Sequence, residues 1–238
     1  YAPDLKAGDI NEVRRLIEKY EMPVLGYTPE HNAYPYNYMI GSEAQRRDAV
    51  DYLKLSLEMA KEMGAEFVLT SPANGGYLAT YDQLWSRLEK NIQELGDYAA
   101  KLEIKLVVEA LTPYESNFFT RANDLVELFR RVDNPYVVGM CDIVPPFVQH
   151  ESIMAYFDKL GNKMDHMHII DGENGSDTHM IPGEGNIPIK EMLYEMKRIG
   201  YDKTATLELV TNYINEPRFY AKRAIDNMRE LMAEAGIV

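Results

Sequence analysis

Short apolar runs alternate with long amphipathic stretches along most of this chain. The clearest run is Lys105-Leu106-Val107-Val108-Glu109-Ala110-Leu111, brief, rich in β-branched residues and patterned as a buried strand. Similar runs predict strands at Pro23–Tyr27, Ala65–Thr70, Val137–Cys141, Met164–His168 and Thr204–Leu207. Helical periodicity predicts helices over about Asp9–Tyr20, Ser42–Met63, Tyr81–Leu102, Arg121–Arg131, Glu151–Leu160, Ile189–Ile199 and Glu216–Ala235. In the first of these, Ile10, Val13, Leu16 and Ile17 share one face; Ser42 opens the second and Gly64 closes it.

Strand and helix alternate, which predicts βα units, a parallel sheet and right-handed crossovers. The order is helix first, with six strands and seven helices. The expected fold is a single-domain (β/α)8 TIM barrel over residues 1–238, with its first βαβ quarter absent from this chain and supplied by upstream residues. An open doubly wound sheet is the alternative. It lacks the expected Gly-rich turn after the first strand, and the polar strand ends are spread over the last four strands.

Those polar ends carry the chemistry. Four successive strands run into Glu109, Asp142, His168 and Glu208, at intervals of 33, 26 and 40 residues. Each interval fits one βα unit, so the four groups fall at C-terminal strand ends, where barrel active sites lie. A lone buried carboxylate is costly without a partner. Three hard oxygen donors and one imidazole suit a divalent cation such as Mn²⁺, Co²⁺, Ni²⁺, Mg²⁺ or Zn²⁺. His166 and His168 are expected to point to opposite faces of the sheet, leaving His168 as the ligand and His166 as a structural residue.

Several loops add candidates. Glu115 lies in Thr112-Pro113-Tyr114-Glu115-Ser116-Asn117, expected on the metal's face or else as a solvated carboxylate. Asp177-Thr178-His179 precedes Ile181-Pro182-Gly183-Glu184-Gly185, whose glycines permit close approach to a ligand or simply a turn. Tyr27, Tyr34, Tyr36, Tyr38 and Tyr77 fall in early βα segments and suit either a polyol pocket or subunit contacts. Cys141 is expected to be a small buried hydrophobe.

Composition narrows the partners. A net charge of -13 argues against nucleic acid and against an anionic membrane surface. One cysteine excludes a disulfide framework and points to a reducing, cytoplasmic compartment. No apolar run approaches a membrane span, and no basic-then-apolar opening marks a signal peptide.

The segments VVEALTPYES, GMCDIVPP, DHMHIID, IPGEG and TLELV resemble the xylose-isomerase-like barrel superfamily of sugar isomerases and epimerases. Within it, Gly26–Asn37, Glu109–Asn117, Ala155–Gly161, Ser176–Gly185 and Glu208–Ala221 are most similar to the fructoselysine 3-epimerase family. The resemblance covers nearly the whole chain. It implies a divalent metal held by Glu109, Asp142, His168 and Glu208. It also implies that Glu109 and Glu208 remove and return the C3 proton of a ketose through a cis-enediolate. Glu115 matches a substrate-contacting glutamate, and His179, Asp177 and Tyr27 are further expected substrate contacts. A homo-oligomer, dimer or tetramer, is expected.

Two departures bear on the substrate. Pro145 stands where ketose 3-epimerases commonly have a histidine, and Asp171–Gly175 holds no arginine. Both favour a ketose with an amine at C1 over free psicose or tagatose; an epimerase or isomerase of a free or phosphorylated ketose is the alternative. An apurinic-site endonuclease of the same fold is the runner-up from another class, since Asp177-Thr178-His179 resembles its third-metal motif. Pro145, a loop Ser71–Gly76 without histidine, and the negative charge all argue against it. A non-catalytic sugar-binding protein is a third reading, disfavoured by the intact ligand set.

Overall fold

The computed structural model describes residues 1–32, 35–173 and 175–237, apart from the side chain of Thr211. They form two compact units, Tyr1–Leu111 with Glu115–Gly139, and Thr112–Tyr114 with Met140–Val238.

The first unit opens with helix α1 (Ala2–Asp4), a π-helical turn Leu5–Asp9 and α2 (Ile10–Tyr20). The helical start therefore lies earlier than Asp9, with a break at Gly8, whose φ is 149°. Strand β1 (Gly26–Tyr27) is followed by α3 (Glu43–Met63), β2 (Phe67–Thr70), α4 (Tyr81–Leu102), β3 (Lys105–Val108) and α5 (Ala122–Arg131). Strand β4 (Val137–Asp142) begins in this unit and ends in the other. All pairings here are parallel, with Gly26 opposite Phe67, Val68 opposite Leu106 and Val108 opposite Gly139.

The long helices follow local rules. Ser42 and Gln45 form a reciprocal capping box at the start of α3, and Thr80 and Gln83 do the same for α4. Gly64 ends α3 in the left-handed conformation that glycine adopts without strain. Val50, Leu53, Leu57 and Ala60 recur at three- and four-residue spacing and are buried. In α4, Gly96 permits close packing, because a Cβ there would lie 2.5 Å from Val137 Cγ2.

The second unit contains α6 (Val144–Val148), α7 (Met154–Leu160), β5 (Met164–Ile169), α8 (Ile189–Ile199), β6 (Thr204–Leu207) and α9 (Pro217–Glu234). Strands β5 and β6 are parallel, with His166 opposite Thr204 and His168 opposite Thr206. The backbone N–H of Ile143, just past β4, donates to His168 O at 3.4 Å. Every residue of β5 is buried, whereas β6 is only partly covered.

The six strands fall where the sequence pattern puts them: β1, β2 and β3 are shorter than expected, β4 and β5 each run one residue further, and β6 keeps its expected bounds. The expected helix over 151–160 begins at Met154, and an unexpected helix, Val144–Val148, precedes it. Pro145 sits in that helix's first turn, where its missing N–H interrupts nothing. Among the described residues, no helix is long and apolar enough to cross a membrane.

Candidate active site

The polar ends of β4, β5 and β6 meet in the second unit. Asp142 closes β4 and is buried; its Oδ1 accepts the N–H of Val144 at 2.8 Å, so the turn into α6 orients it. His168 is the penultimate residue of β5 and is also buried. Glu208 directly follows β6. His168 Nδ1 lies 3.2 Å from Glu208 Oε2 and 3.9 Å from Asp142 Oδ2.

His179 joins them from the loop after β5. Its Nε2 is 3.2 Å from Asp177 Oδ1 and 3.9 Å from Asp142 Oδ2. Asp177 in turn accepts a hydrogen bond from Thr112 Oγ1 at 3.0 Å. Burial alone would depress the His179 pKa. The Asp177 hydrogen bond and the fields of Asp142, Glu208 and Asp177 outweigh it and push the ring up to about 9. Glu208 is displaced downward: burial opposes its charge, but His168 and His179 more than compensate.

The donor set fits a divalent cation. Asp142, His179 and Glu208 each offer a ligand atom within 4.8 Å of the others. Two carboxylates this close repel each other unless a positive group stands between them, and oxygen with imidazole is a donor set that divalent metals accept. Sequence reasoning assigned His179 to substrate rather than to this group. Its signal was the Asp-x-His spacing, which leaves either role open.

His166 corrects the expected orientation. It lies on the same side as His168, with ring centroids 5.4 Å apart. Strand side chains alternate with a period of two, so residues 166 and 168 share a face. His166 is nonetheless turned to a structural role, with Nδ1 at 2.8 Å from Thr204 Oγ1 and Nε2 at 3.1 Å from Thr206 Oγ1. Burial, then repulsion from His168, pull its pKa down to about 3.

The remaining predicted residues belong mostly to the first unit. Glu109 follows β3 and is buried, and its N–H donates to Thr70 O at 2.9 Å. Glu115 is solvent-exposed. Tyr27 is half-buried in β1, and burial raises its pKa. Tyr36 stacks on Tyr52 at 4.0 Å, and Tyr38 is buried with its hydroxyl donating to Ser71 O. Tyr77 is 91% exposed, and Tyr34 lies outside the described residues. Cys141 is buried, and its thiol donates to Asp142 O.

Two buried polar residues escaped the sequence reading. His31 accepts the Ser71 N–H on Nε2 at 2.7 Å, which leaves Nδ1 protonated and donating to Pro29 O. Asp171, three residues after His168, gathers the backbone of the Gly183–Gly185 loop. Only its place after an apolar strand hinted at this.

The family model of xylose isomerase-like TIM barrels matches residues 1–231. The chain belongs to this family. Members similar to it include the fructoselysine 3-epimerase of Shigella flexneri, 48% identical over 98% of this chain and 85% of that protein. A solved D-tagatose 3-epimerase-like protein superposes with a TM-score of 0.82 at 21% identity, covering 96% of this chain and 84% of its own. The IOLI protein, solved with a bound zinc atom, superposes with a TM-score of 0.75 at 18% identity over 98% of this chain and 83% of its own. The fold is thus that of a TIM barrel, and the chain is an isomerase of the sugar epimerase class.

Proposed function

We propose that the chain is a metal-dependent ketose 3-epimerase that interconverts fructoselysine and its C3 epimer, psicoselysine. The observation that carries this reading is the convergence of Asp142, His168 and Glu208 at three strand ends, with His168 Nδ1 3.2 Å from Glu208 and 3.9 Å from Asp142. Glu109 completes the proposed ligand set, since it follows β3 just as Glu208 follows β6. The relative at 48% identity supplies the substrate class.

A divalent ion bound by these four residues would act as a Lewis acid for the negative charge that develops on the ketose oxygens. The side chains do the rest. A hydrogen on the carbon next to a ketone is weakly acidic, and a carboxylate placed beside it serves as base. In this reading Glu109 and Glu208 serve opposite faces of C3. One takes the proton and the other returns one, which inverts the centre. His179 and Asp177 orient substrate hydroxyls, with Glu115 and Tyr27 as further contacts. Burial of Asp142 and His168 keeps these two side chains away from bulk water and strengthens the electrostatic contacts they make.

The test is incubation with fructoselysine, psicoselysine, psicose and tagatose in D₂O, with metal content measured alongside. Deuterium should enter C3 of the two lysine conjugates fastest. Metal-loaded protein that exchanges C3 in none of the four would end this reading; faster exchange in psicose or tagatose would replace its substrate.

A further inference from the structure

The loop from Ile170 to Pro188 is organised around one side chain that the reaction itself does not use. Asp171 is 1% exposed. Its Oδ1 accepts the backbone N–H groups of Gly172 at 2.8 Å and Ile187 at 2.9 Å. Its Oδ2 accepts those of Gly183 and Gly185, both at 2.9 Å. The main chain of the same residue forms an antiparallel bridge with Met180, N–H to carbonyl in both directions, at 2.8 and 2.7 Å. One residue thus ties the start, middle and end of the loop.

The loop is shaped to admit that carboxylate. Gly183 has a φ of 87°, and a Cβ on Gly185 would lie 2.4 Å from both Asp171 Oδ1 and Gly172 O. A carboxylate only accepts hydrogen bonds, so four converging N–H donors suit it and would meet a clash of donors in its amide isostere. Leaving such donors buried without an acceptor is costly, which makes the arrangement stiff.

That stiffness has a target. His179 immediately precedes Met180 and has a φ of 44°, a left-handed conformation that a non-glycine residue holds only under restraint. Its neighbours are pinned: Asn212 Nδ2 donates to Thr178 O at 2.7 Å, and Ile181 N–H donates to the Tyr213 hydroxyl at 3.0 Å. The strained backbone directs His179 Nε2 to Asp177 and Asp142.

We propose that Asp171 is a positioning residue: its clamp on the backbone of Gly172, Gly183, Gly185 and Ile187 holds His179 in the left-handed conformation that turns its ring toward Asp142 and Asp177. The activity readout rests on the epimerase reading; the structural readout does not.

The experiment is a double-mutant cycle of Asp171→Asn and His179→Asn on the full chain at matched metal content, with amide hydrogen exchange and ¹⁵N-imidazole spectra. Displacement of a reacting group by about 1 Å lowers turnover up to ~10²-fold, so Asp171→Asn should lower kcat/KM by ~10–10². The double variant should be no worse than the more damaged single one, because both act through one ring. Exchange should quicken within residues 172–187, and the His179 resonances should shift while those of His31 stay put. If Asp171→Asn does not fold, Gly185→Ala disturbs the same clamp and should show the same non-additivity. Additive losses, or unchanged His179 resonances with unchanged exchange, overturn the proposal. An inactive wild-type chain would sink the epimerase reading alone, and the spectra would still decide the clamp.

Discussion

The loops that leave β2 and β5 both turn on glycines, yet they are fastened by opposite chemistry. After β2, neutral groups do the work. Asn117 accepts the Gly75 N–H and donates to Gly76 O, Asn74 accepts the Gly76 N–H, Asn37 donates to Asn74 O, and Ser116 donates to Ala73 O. That loop presents Tyr77 and Leu78 almost wholly to solvent. After β5, the ionisable side chain of Asp171 holds the turn, and the loop carries Asp177 and brings His179 to within 3.9 Å of Asp142. An amide both donates and accepts, so it closes a turn without adding charge. A carboxylate must collect donors, and its burial penalises every alternative arrangement. The first device builds a frame; the second sets reactive groups.

The largest effect that tests this division is on turnover. Glu208→Gln keeps the shape and removes a base, so epimerisation should fall by ~10²–10⁴ at equal metal content. It should still wash deuterium from C3 of one epimer through Glu109, and Glu109→Gln should do so from the other. Ser116→Ala, in the first loop, should leave kcat/KM near the wild-type value and lower stability by about 1–3 kcal/mol, because Ala73 O and the Phe118 and Phe119 N–H groups lose their partner. Comparable activity losses in the two variants would erase the distinction between frame and site.

Metal removal comes next. A ligand at a hundred times its dissociation constant stabilises the folded state by about 2.7 kcal/mol. Calorimetry with and without chelator should find a loss of this order in the wild type and almost none in Asp142→Asn. An equal loss in both would place the ion elsewhere.

Alanine at two glycines sharpens the comparison further. At Gly75 the new Cβ would meet Leu84 Cδ1 at 2.7 Å, the far end of a side chain that can turn away. At Gly185 it would meet a carboxylate oxygen and a carbonyl at 2.4 Å, neither free to move. Overpacking costs about 1–3 kcal/mol, and Gly185→Ala should lie at the upper end and Gly75→Ala at the lower. Urea midpoints in the reverse order would show the β5 loop to be the more yielding of the two.

The same contrast explains what was legible in the sequence. Capping at Ser42, the left-handed end at Gly64 and the bounds of α4 are local events, written in residues three or four positions apart. The polar side chains at the strand ends were legible because each follows an apolar run. Asp171 was not, since its partners are the backbone N–H groups of residues up to sixteen positions later, three of them glycines with no side chain to read. The orientation of His166 was legible but misassigned: a period of two already places it beside His168.

The smallest effect separates the buried histidines. His31 fits its site only as a neutral ring, and burial lowers its pKa. His166 is lowered to about 3, chiefly by burial. For both, the folded value lies below the ~6.5 of the unfolded chain, so as pH falls the unfolded state takes up protons that the folded state refuses. Their contribution is full above that value and is lost below it. His179 runs the other way. Raised to about 9, it holds a proton that the unfolded chain has released, so its contribution is full below ~6.5 and is lost as pH rises through about 9. A bound dication would cancel the carboxylate field on that ring, so the profile is measured by urea unfolding in the presence of chelator. His31→Gln should flatten the acid limb by up to one proton, ~1.4 kcal/mol per pH unit, and leave the alkaline limb alone. His179→Gln should flatten only the alkaline limb. If His179→Gln changed the acid limb instead, the ring would be neutral in the folded chain, and the carboxylates around it would need another positive partner.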